Sequence, residues 1–238
     1  MLEAAVLITG AGRHVGLALA RHFLSAGRPV IAHYHTHTDA VEHLRRDGAL
    51  CVAGDLAKPE GVQALTDVVA CKTLSLRAII HNASAFAATA PAVDDALRQL
   101  DDFYALHMRA PYALTVALAP LLQACLEKHA DVIHITDIYA DKPAPAFDVY
   151  CATKAGLQNL ALSFAKALAP KVKVNVIQPG PVLFKDWHSQ EVRQKVLAQT
   201  LLGEEGGTEP IVLAIAAILA NPYQTGAVVA VDGGRRLA

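Results

Sequence analysis

Tyr150 and Lys154 stand four residues apart, the spacing that puts two side chains on one face of a helix. An ammonium held beside a phenol favours the phenolate and lowers the phenol's pKa, which makes the tyrosine a usable proton donor near neutral pH. Asp137 follows a β-branched run at 131–136; a strand, a loop and a helix start would bring it across a cleft to Tyr150. A second cluster, Thr9-Gly10-Ala11-Gly12-Arg13-His14-Val15-Gly16, closes an apolar run and opens an amphipathic stretch. Glycine lets such a turn take positive φ and lets a phosphate approach the backbone, while the helix behind it offers free N–H groups and a positive dipole end. A dinucleotide phosphate site is therefore expected at Gly10, Arg13, His14, Val15 and Gly16, although the Gly-x-Gly-x-x-x-Gly spacing is one residue wider than the usual fingerprint.

The end of the second strand selects the form of such a dinucleotide. A carboxylate there accepts from the ribose 2′-hydroxyl of NAD, whereas cationic or hydroxyl groups hold the 2′-phosphate of NADP. The residues are His33-Tyr34-His35-Thr36-His37-Thr38, with Arg13 nearby and no acid before Asp39, so NADP(H) is favoured, with His35, Thr36 and His37 as its contacts. A metal site on these alternating histidines lacks an acid or thiol to complete it, and no metal is expected. Asp55 and Leu56 follow the third strand, where a short acid could meet the adenine or simply cap the helix that starts at Pro59. Asn82, Ala83 and Ser84 follow the fourth strand and would floor the cleft. Pro179, Gly180, Pro181 and Val182 follow the sixth, a rigid turn whose backbone could face a nicotinamide carboxamide.

The elements that must position these groups alternate along the chain. Strand-like runs fall at 4–9, 29–34, 50–54, 77–81, 131–136, 171–177 and 227–231, with helical stretches at 14–26, 39–47, 59–70, 103–128, 149–169 and 208–220. This rhythm means right-handed βαβ units: a doubly wound, seven-stranded parallel sheet with helices on both faces, in one domain spanning 1–238. Two segments, 83–100 and 180–200, break the rhythm. They lie beyond strand carboxyl ends, where ligands bind in open α/β sheets.

Composition bounds the rest. The 238 residues carry 21 basic and 22 acidic side chains, a balance that argues against nucleic acid or an anionic membrane as partner. Mean hydropathy is +0.32, in keeping with a sheet buried on both faces, and the longest apolar run, 211–220, is half the ~20 residues a membrane span needs. The N-terminus lacks a basic, signal-like region. Cys51, Cys71, Cys125 and Cys151 are scattered, as expected of reduced thiols in the cytoplasm. Leu114, Leu118, Leu121, Leu157, Leu160 and Leu162 place apolar residues on more than one helix face, a surplus that suggests a subunit interface.

With Tyr150-Cys-Ala-Thr-Lys154, the glycine loop, His81-Asn-Ala-Ser84, Gln178-Pro-Gly-Pro181 and the closing Thr225-Gly226 and Val231-Asp-Gly-Gly234, the chain resembles the short-chain dehydrogenase/reductase family over essentially its full length. In that family a serine usually stands where this chain has Asp137. That replacement, together with Asn82-Ala83-Ser84-Ala85-Phe86, is similar to the pteridine reductases. The resemblance implies that Tyr150 donates a proton, that Lys154 holds the nicotinamide ribose, and that Asp137 hydrogen-bonds a pterin edge and orients Tyr150. It implies also that Phe86 stacks on the pterin, that Ser84 touches both cofactor and substrate, and that the assembly is a homotetramer. Pro181 and Trp187 would line the substrate side, Trp187 either as a lid or as a packing residue of its loop. The chain departs from the family pattern at His14 and Thr36, where pteridine reductases carry arginine. It departs again at His107, where an asparagine usually holds a relay water; a neutral imidazole, able to accept and to donate, is the candidate for that part.

These readings converge on reduction of a ring C=N of a 7,8-dihydropterin by NADPH, with dihydromonapterin preferred and dihydrofolate weaker. Two alternatives stay open: a reductase of a ketone or 3-oxoacyl thioester, and an NADP-binding regulator without chemistry.

Overall fold

Aliphatic strands and amphipathic helices alternate to build one seven-stranded parallel sheet in the computed structural model, which describes residues 1–184 and 188–238. In chain order the elements are β1 (Ala5–Ile8), α1 (His14–Ser25), β2 (Val30–Tyr34), α2 (Asp39–Arg46), β3 (Leu50–Ala53), α3 (Pro59–Lys72), β4 (Leu76–His81), α4 (Val93–Tyr104), α5 (Ala110–Gln123), β5 (Ala130–Ile135), α6 (Asp148–Ala167), β6 (Val172–Pro179), α7 (Gln190–Ala198), α8 (Glu209–Ala220) and β7 (Val228–Val231). The strands lie in the order β3-β2-β1-β4-β5-β6-β7. The winding reverses between β1 and β4, and their carboxyl ends open the crevice in which ligands of such sheets bind.

Period-two alternation divides the core. Ala5 and Leu7 of β1, Val132 of β5 and Val174 and Val176 of β6 face Leu65, Leu114, Leu118 and Ala161 of α3, α5 and α6. Val6 and Ile8, Ile133 and Ile135 face Leu19, Leu44, Ile211 and Ile215 of α1, α2 and α8. Both faces of the central strands are dry, which is why these strands read as continuous apolar runs.

The structure corrects one stretch of the sequence reading. Residues 83–100 are not one long loop, since α4 begins at Val93, and helix 103–128 is in fact α4, a π segment over Ala105–Arg109 and α5, ending at Gln123. The register change has a local cause: Pro111 has no N–H for the carbonyl of His107, so the helix widens by a residue there. α4 escapes the apolar pattern because Phe103 is its one fully buried residue, while Val93, Leu97 and Tyr104 face outward. The six leucines expected to form a surplus apolar face also resolve differently. Leu114, Leu118 and Leu157 are core, and the exposed apolar groups of this region are Val93, Leu97, Leu100, Tyr104, Tyr112 and Val116.

Four histidines sit inside this core: His33, His81, His107 and His134. Burial holds His33 down at about 4 and His134 at about 3, and keeps His81 well below its ordinary value. Because folding lowers these pKa values, the unfolded chain takes up protons first. The stability they confer is therefore complete above pH ~6.5 and lost as pH falls toward the folded values. We expect the melting temperature to fall steadily below pH ~6.5. His134→Phe, which removes two ring nitrogens that have no hydrogen-bond partner among the described residues, should flatten that slope in a calorimetric pH series; an unchanged slope would exclude His134 from it.

Candidate active site

The glycine loop is tied to the sheet by groups that leave it no slack. Gly10 takes φ +69°, and a Cβ there would lie 2.9 Å from Ala83 Cα. At Gly16 a Cβ would fall 2.2 Å from the Gly10 carbonyl oxygen, so α1 packs against the turn only with glycine there. Asn82 Nδ2 donates to the carbonyls of Thr9 (2.9 Å) and Gly10 (3.0 Å), while Thr9 Oγ1 accepts from the N–H groups of Asn82 and Ala83. His33, the first of the three alternating histidines, faces neither a phosphate nor a metal: it accepts at Nδ1 from the Gly10 N–H (3.2 Å) and donates from Nε2 to the Gly54 carbonyl (3.1 Å). Its neutral state fixes that tautomer and couples the loop to the end of β3. Thr38 Oγ1 closes the far side by donating to the Gly12 carbonyl. Arg13, His14 and Val15 start α1, with His14 at φ +50°.

Around this loop the other assigned residues fall unevenly. His35 and Thr36 are exposed beyond β2. His37 is turned away toward α2, where Nε2 lies 2.6 Å from Glu42 Oε1 beside Arg45; the acid of α2 thus competes for the imidazole that was expected to face a phosphate. Asp55 caps its own turn, accepting from the Ala57 N–H at 3.0 Å, and Leu56 is buried in the core, so any adenine contact from Leu56 is left to its backbone. Pro179, Gly180 and Val182 run along the end of β7: the Gly180 N–H donates to Val231, and the carbonyls of Pro181 and Val182 accept from Gly206 and Gly207. Trp187 lies outside the described residues. Among the described residues no group of three His, Cys, Asp or Glu side chains is placed to hold a metal.

Asp137, Tyr150 and Lys154 meet at the carboxyl end of β5. The Tyr150 hydroxyl donates to Asp137 Oδ2 at 3.1 Å, and Asp137 Oδ1 accepts from the Tyr139 N–H at 2.9 Å. Lys154 Nζ donates to the Ile135 carbonyl (3.2 Å) and lies 5.6 Å from the centroid of the Tyr150 ring. The expected lowering of the Tyr150 pKa does not occur in this arrangement. Burial, reinforced by the Asp137 charge, raises it well above its ordinary value, and the phenol stays protonated. Burial also raises the Asp137 pKa, against the pull of the Tyr139 N–H and Lys154, and pushes Lys154 down to about 8.

An aromatic wall borders the phenol. Phe86 meets Tyr150 edge to face at 5.0 Å and stacks on Phe147 at 4.7 Å, and Phe147 stacks in turn near Tyr139 at 5.8 Å. Phe147 and Tyr139 were not assigned from sequence; each sits within three residues of an assigned residue, the one signal that pointed to them. His107 does not face open space, as a relay would. Its two ring nitrogens are bonded to the Ser84–Ala85 segment and to Thr153.

Both the sequence and the fold have known relatives. A family model described as "Enoyl-(Acyl carrier protein) reductase" matches residues 10–236. Dihydromonapterin reductase of Citrobacter koseri is 40% identical over 236 residues, covering 98% of this chain and 96% of its own, and that of Klebsiella pneumoniae is 40% identical over 232 residues with the same coverage. Among solved structures, the FolM alternative dihydrofolate reductase 1 of Brucella canis, complexed with NADP, superposes with a TM-score of 0.88 at 28% identity, covering 99% of this chain and 94% of that one. The matched fold, the glycine loop tied between β1 and β4, and the Tyr150–Lys154 pair set against Asp137 lead to one assignment: the chain belongs to the short-chain dehydrogenase/reductase family.

Proposed function

We propose that this chain is an NADPH-dependent reductase of a 7,8-dihydropterin, with dihydromonapterin preferred and dihydrofolate a weaker substrate. The observation that carries the reading is the Tyr150–Asp137 hydrogen bond at 3.1 Å beside the Phe86 ring, a donor, an acceptor and an aromatic face gathered at one strand end. A flat, donor-rich heterocycle needs all three. The names of the relatives point the same way.

The residues present fit NADP(H). The turn at Gly10 and Gly16 is too close for side chains, the α1 N-terminus behind it favours a phosphate, and the end of β2 offers His35 and Thr36 without an acid. Gly10, Arg13, His14, Val15 and Gly16 would hold the pyrophosphate side, His35, Thr36 and, on release from Glu42, His37 the 2′-phosphate, and Asp55 and Leu56 the adenine edge. Asn82, Ala83, Ser84, Pro179, Gly180 and Val182 would border the nicotinamide half, with Tyr150 and Lys154 at its ribose. When bound, the cofactor supplies a hydride.

On the substrate side Phe86 stacks on the ring, Ser84 and Pro181 border it, and Asp137 accepts from its N–H edge. Tyr150, neutral and aimed at Asp137, gives its proton to the nitrogen beside the reduced carbon, directly or through water. Lys154 keeps its charge below pH ~8, so the rate should fall as pH rises through about 8 and the ammonium is lost. A kcat/KM profile with dihydropterin that stays flat to pH ~10 would exclude Lys154 from the reaction.

An ionised Asp137 repels a developing alkoxide, which disfavours a ketone or 3-oxoacyl thioester. The test is NADPH oxidation by the purified protein with dihydromonapterin, dihydrofolate and a 3-oxoacyl thioester in parallel. Fast turnover of the pterin is expected; turnover of the thioester alone would overturn the reading, and turnover of none would leave an NADP-binding protein without this chemistry. No described helix is long and apolar enough to cross a membrane, and we place the enzyme in the cytoplasm. The exposed apolar groups of α4 and α5 support a homotetramer, which light scattering at micromolar concentration would read directly.

A further inference from the structure

Between β4 and α4 the chain has no regular structure from Asn82 to Ala92, yet this stretch carries Ser84 and Phe86. Its hydrogen-bonded anchors are few. The Ala83 N–H is held by Thr9 at one end, and the Thr89 N–H by the Ala146 carbonyl at the other. Between them Gln99 Nε2 of α4 donates to the Ala88 carbonyl at 2.9 Å, the Ser84 side chain bonds to Tyr150, and the backbone of the Ser84–Phe86 stretch is tied by His107. Its Nε2 accepts from the Ala85 N–H at 3.2 Å and lies 3.1 Å from Ser84 Oγ.

The hydrogen-bond inventory fixes the ring's protonation. A backbone N–H only donates, so Nε2 is the bare nitrogen and the single proton of a neutral ring sits on Nδ1. From there it is donated to Thr153 Oγ1 at 2.9 Å, and Thr153 passes its own proton to the Tyr150 carbonyl, also at 2.9 Å. The ring has no exposed surface; it stacks on Phe103 at 5.1 Å and meets the Tyr150 ring edge to face at 5.6 Å. The π segment holds it there, one residue out of the register of the helices on either side.

We propose that His107 is a positioning residue, a neutral bracket that fixes the Ser84–Phe86 segment to the turn of α6 carrying Tyr150 and so sets the spacing between the aromatic wall and the phenol. This rests on the pterin reading for its kinetic consequence, though not for its structural one. A relay would need one nitrogen open to water and able to take a proton. Both are bonded within the protein, and burial beside Lys154 keeps the pKa at about 2. Imidazole suits the part because it carries an acceptor and a donor on opposite sides of one rigid ring.

Two amides each reproduce half of the bracket. His107→Gln extends its amide oxygen toward the place of Nε2 and can accept from Ala85, whereas His107→Asn reaches only the place of Nδ1 and serves Thr153. His107→Phe keeps the stacked ring and loses both bonds. The KM for dihydropterin should rise about tenfold in the Asn and Phe variants, the loss of one buried hydrogen bond, with kcat and NADPH affinity changed much less; the Gln variant should keep the wild-type KM. Hydrogen exchange of the NADPH-bound proteins, read on the peptide containing Ala85 and Phe86, should speed up in the Asn and Phe variants and not in Gln. Wild-type KM and exchange in the Asn variant would overturn the bracket, as would loss of kcat at unchanged KM, the signature of a relay. If the wild-type protein reduces no pterin, the proposed function fails by itself, and the exchange pattern still decides the role of His107.

Discussion

Tyr150→Phe should lower kcat for dihydropterin reduction by about a thousandfold, the middle of the range for a lost general acid, with a much smaller loss of NADPH affinity from the hydroxyl removed at the ribose. The phenylalanine keeps the edge-to-face contact with Phe86 and the packing against Phe103 and His107, so what disappears is one hydroxyl. That hydroxyl is protonated in the resting site, because burial and the neighbouring Asp137 both raise its pKa. An acid in that state gives up its proton only as basicity develops on the substrate nitrogen, so its loss falls on kcat rather than on KM. The check is steady-state kinetics with the two substrates varied independently, together with NADPH fluorescence titration. A variant within tenfold of wild-type kcat would mean that solvent, not Tyr150, protonates the product.

The sign of that pKa shift marks where reading the sequence stops. The four-residue spacing of Tyr150 and Lys154 is local and legible; the depth at which α6 places them is not. At 4% exposure for Tyr150 and 2% for Lys154, desolvation outweighs the attraction of ammonium for phenolate, and Asp137, not Lys154, is the charge that acts on the phenol. The glycine loop was legible for the opposite reason. Gly10 and Gly16 are demanded by steric contacts within a few residues and across one neighbouring strand, and such demands leave a glycine in the sequence. The sheet followed from alternation alone, since each buried strand is a run of aliphatic residues bounded by turn residues.

His33 and His107 illustrate what the sequence withholds. The partners of His107 are 22 and 46 residues away along the chain, and those of His33 are 23 and 21 residues away. A lone histidine in a β-branched run or a helix carries no sign of which backbone groups will reach it. α4 was missed for a related reason. A helix with a single fully buried residue has little core-facing pattern to read, and its outward apolar residues fit a loop equally well. Asp55 shows the converse: both of its readings were open in the sequence, and in the structure its carboxylate closes a turn ahead of α3, on the Ala57 N–H, while the N-cap of α3 is Lys58 without a side-chain cap bond.

Replacing Asp137 by serine is the substitution with the next largest consequence, and the more informative one. Serine can still cap the turn by accepting from the Tyr139 N–H, so the fold and the NADPH site should survive. What is lost is the carboxylate that accepts from Tyr150 at 3.1 Å and, in the proposed reaction, from the N–H edge of the pterin. A charged hydrogen bond of this kind is worth up to about 3 kcal/mol, so kcat/KM for dihydropterin should fall on the order of a hundredfold. The pH profile carries the sign. Asp137 raises the pKa of both Tyr150 and Lys154 through its charge. Removing that charge lets each give up its proton more readily, so the alkaline limb of the profile should move to lower pH than the about 8 at which Lys154 titrates in the wild-type protein. A serine also leaves the site without the charge that repels an alkoxide, so any trace activity on a ketone or 3-oxoacyl thioester should rise as pterin turnover falls. If pterin kinetics and the alkaline limb are both unchanged in the serine variant, Asp137 is a turn cap and the specificity must be carried by the Phe86 wall alone.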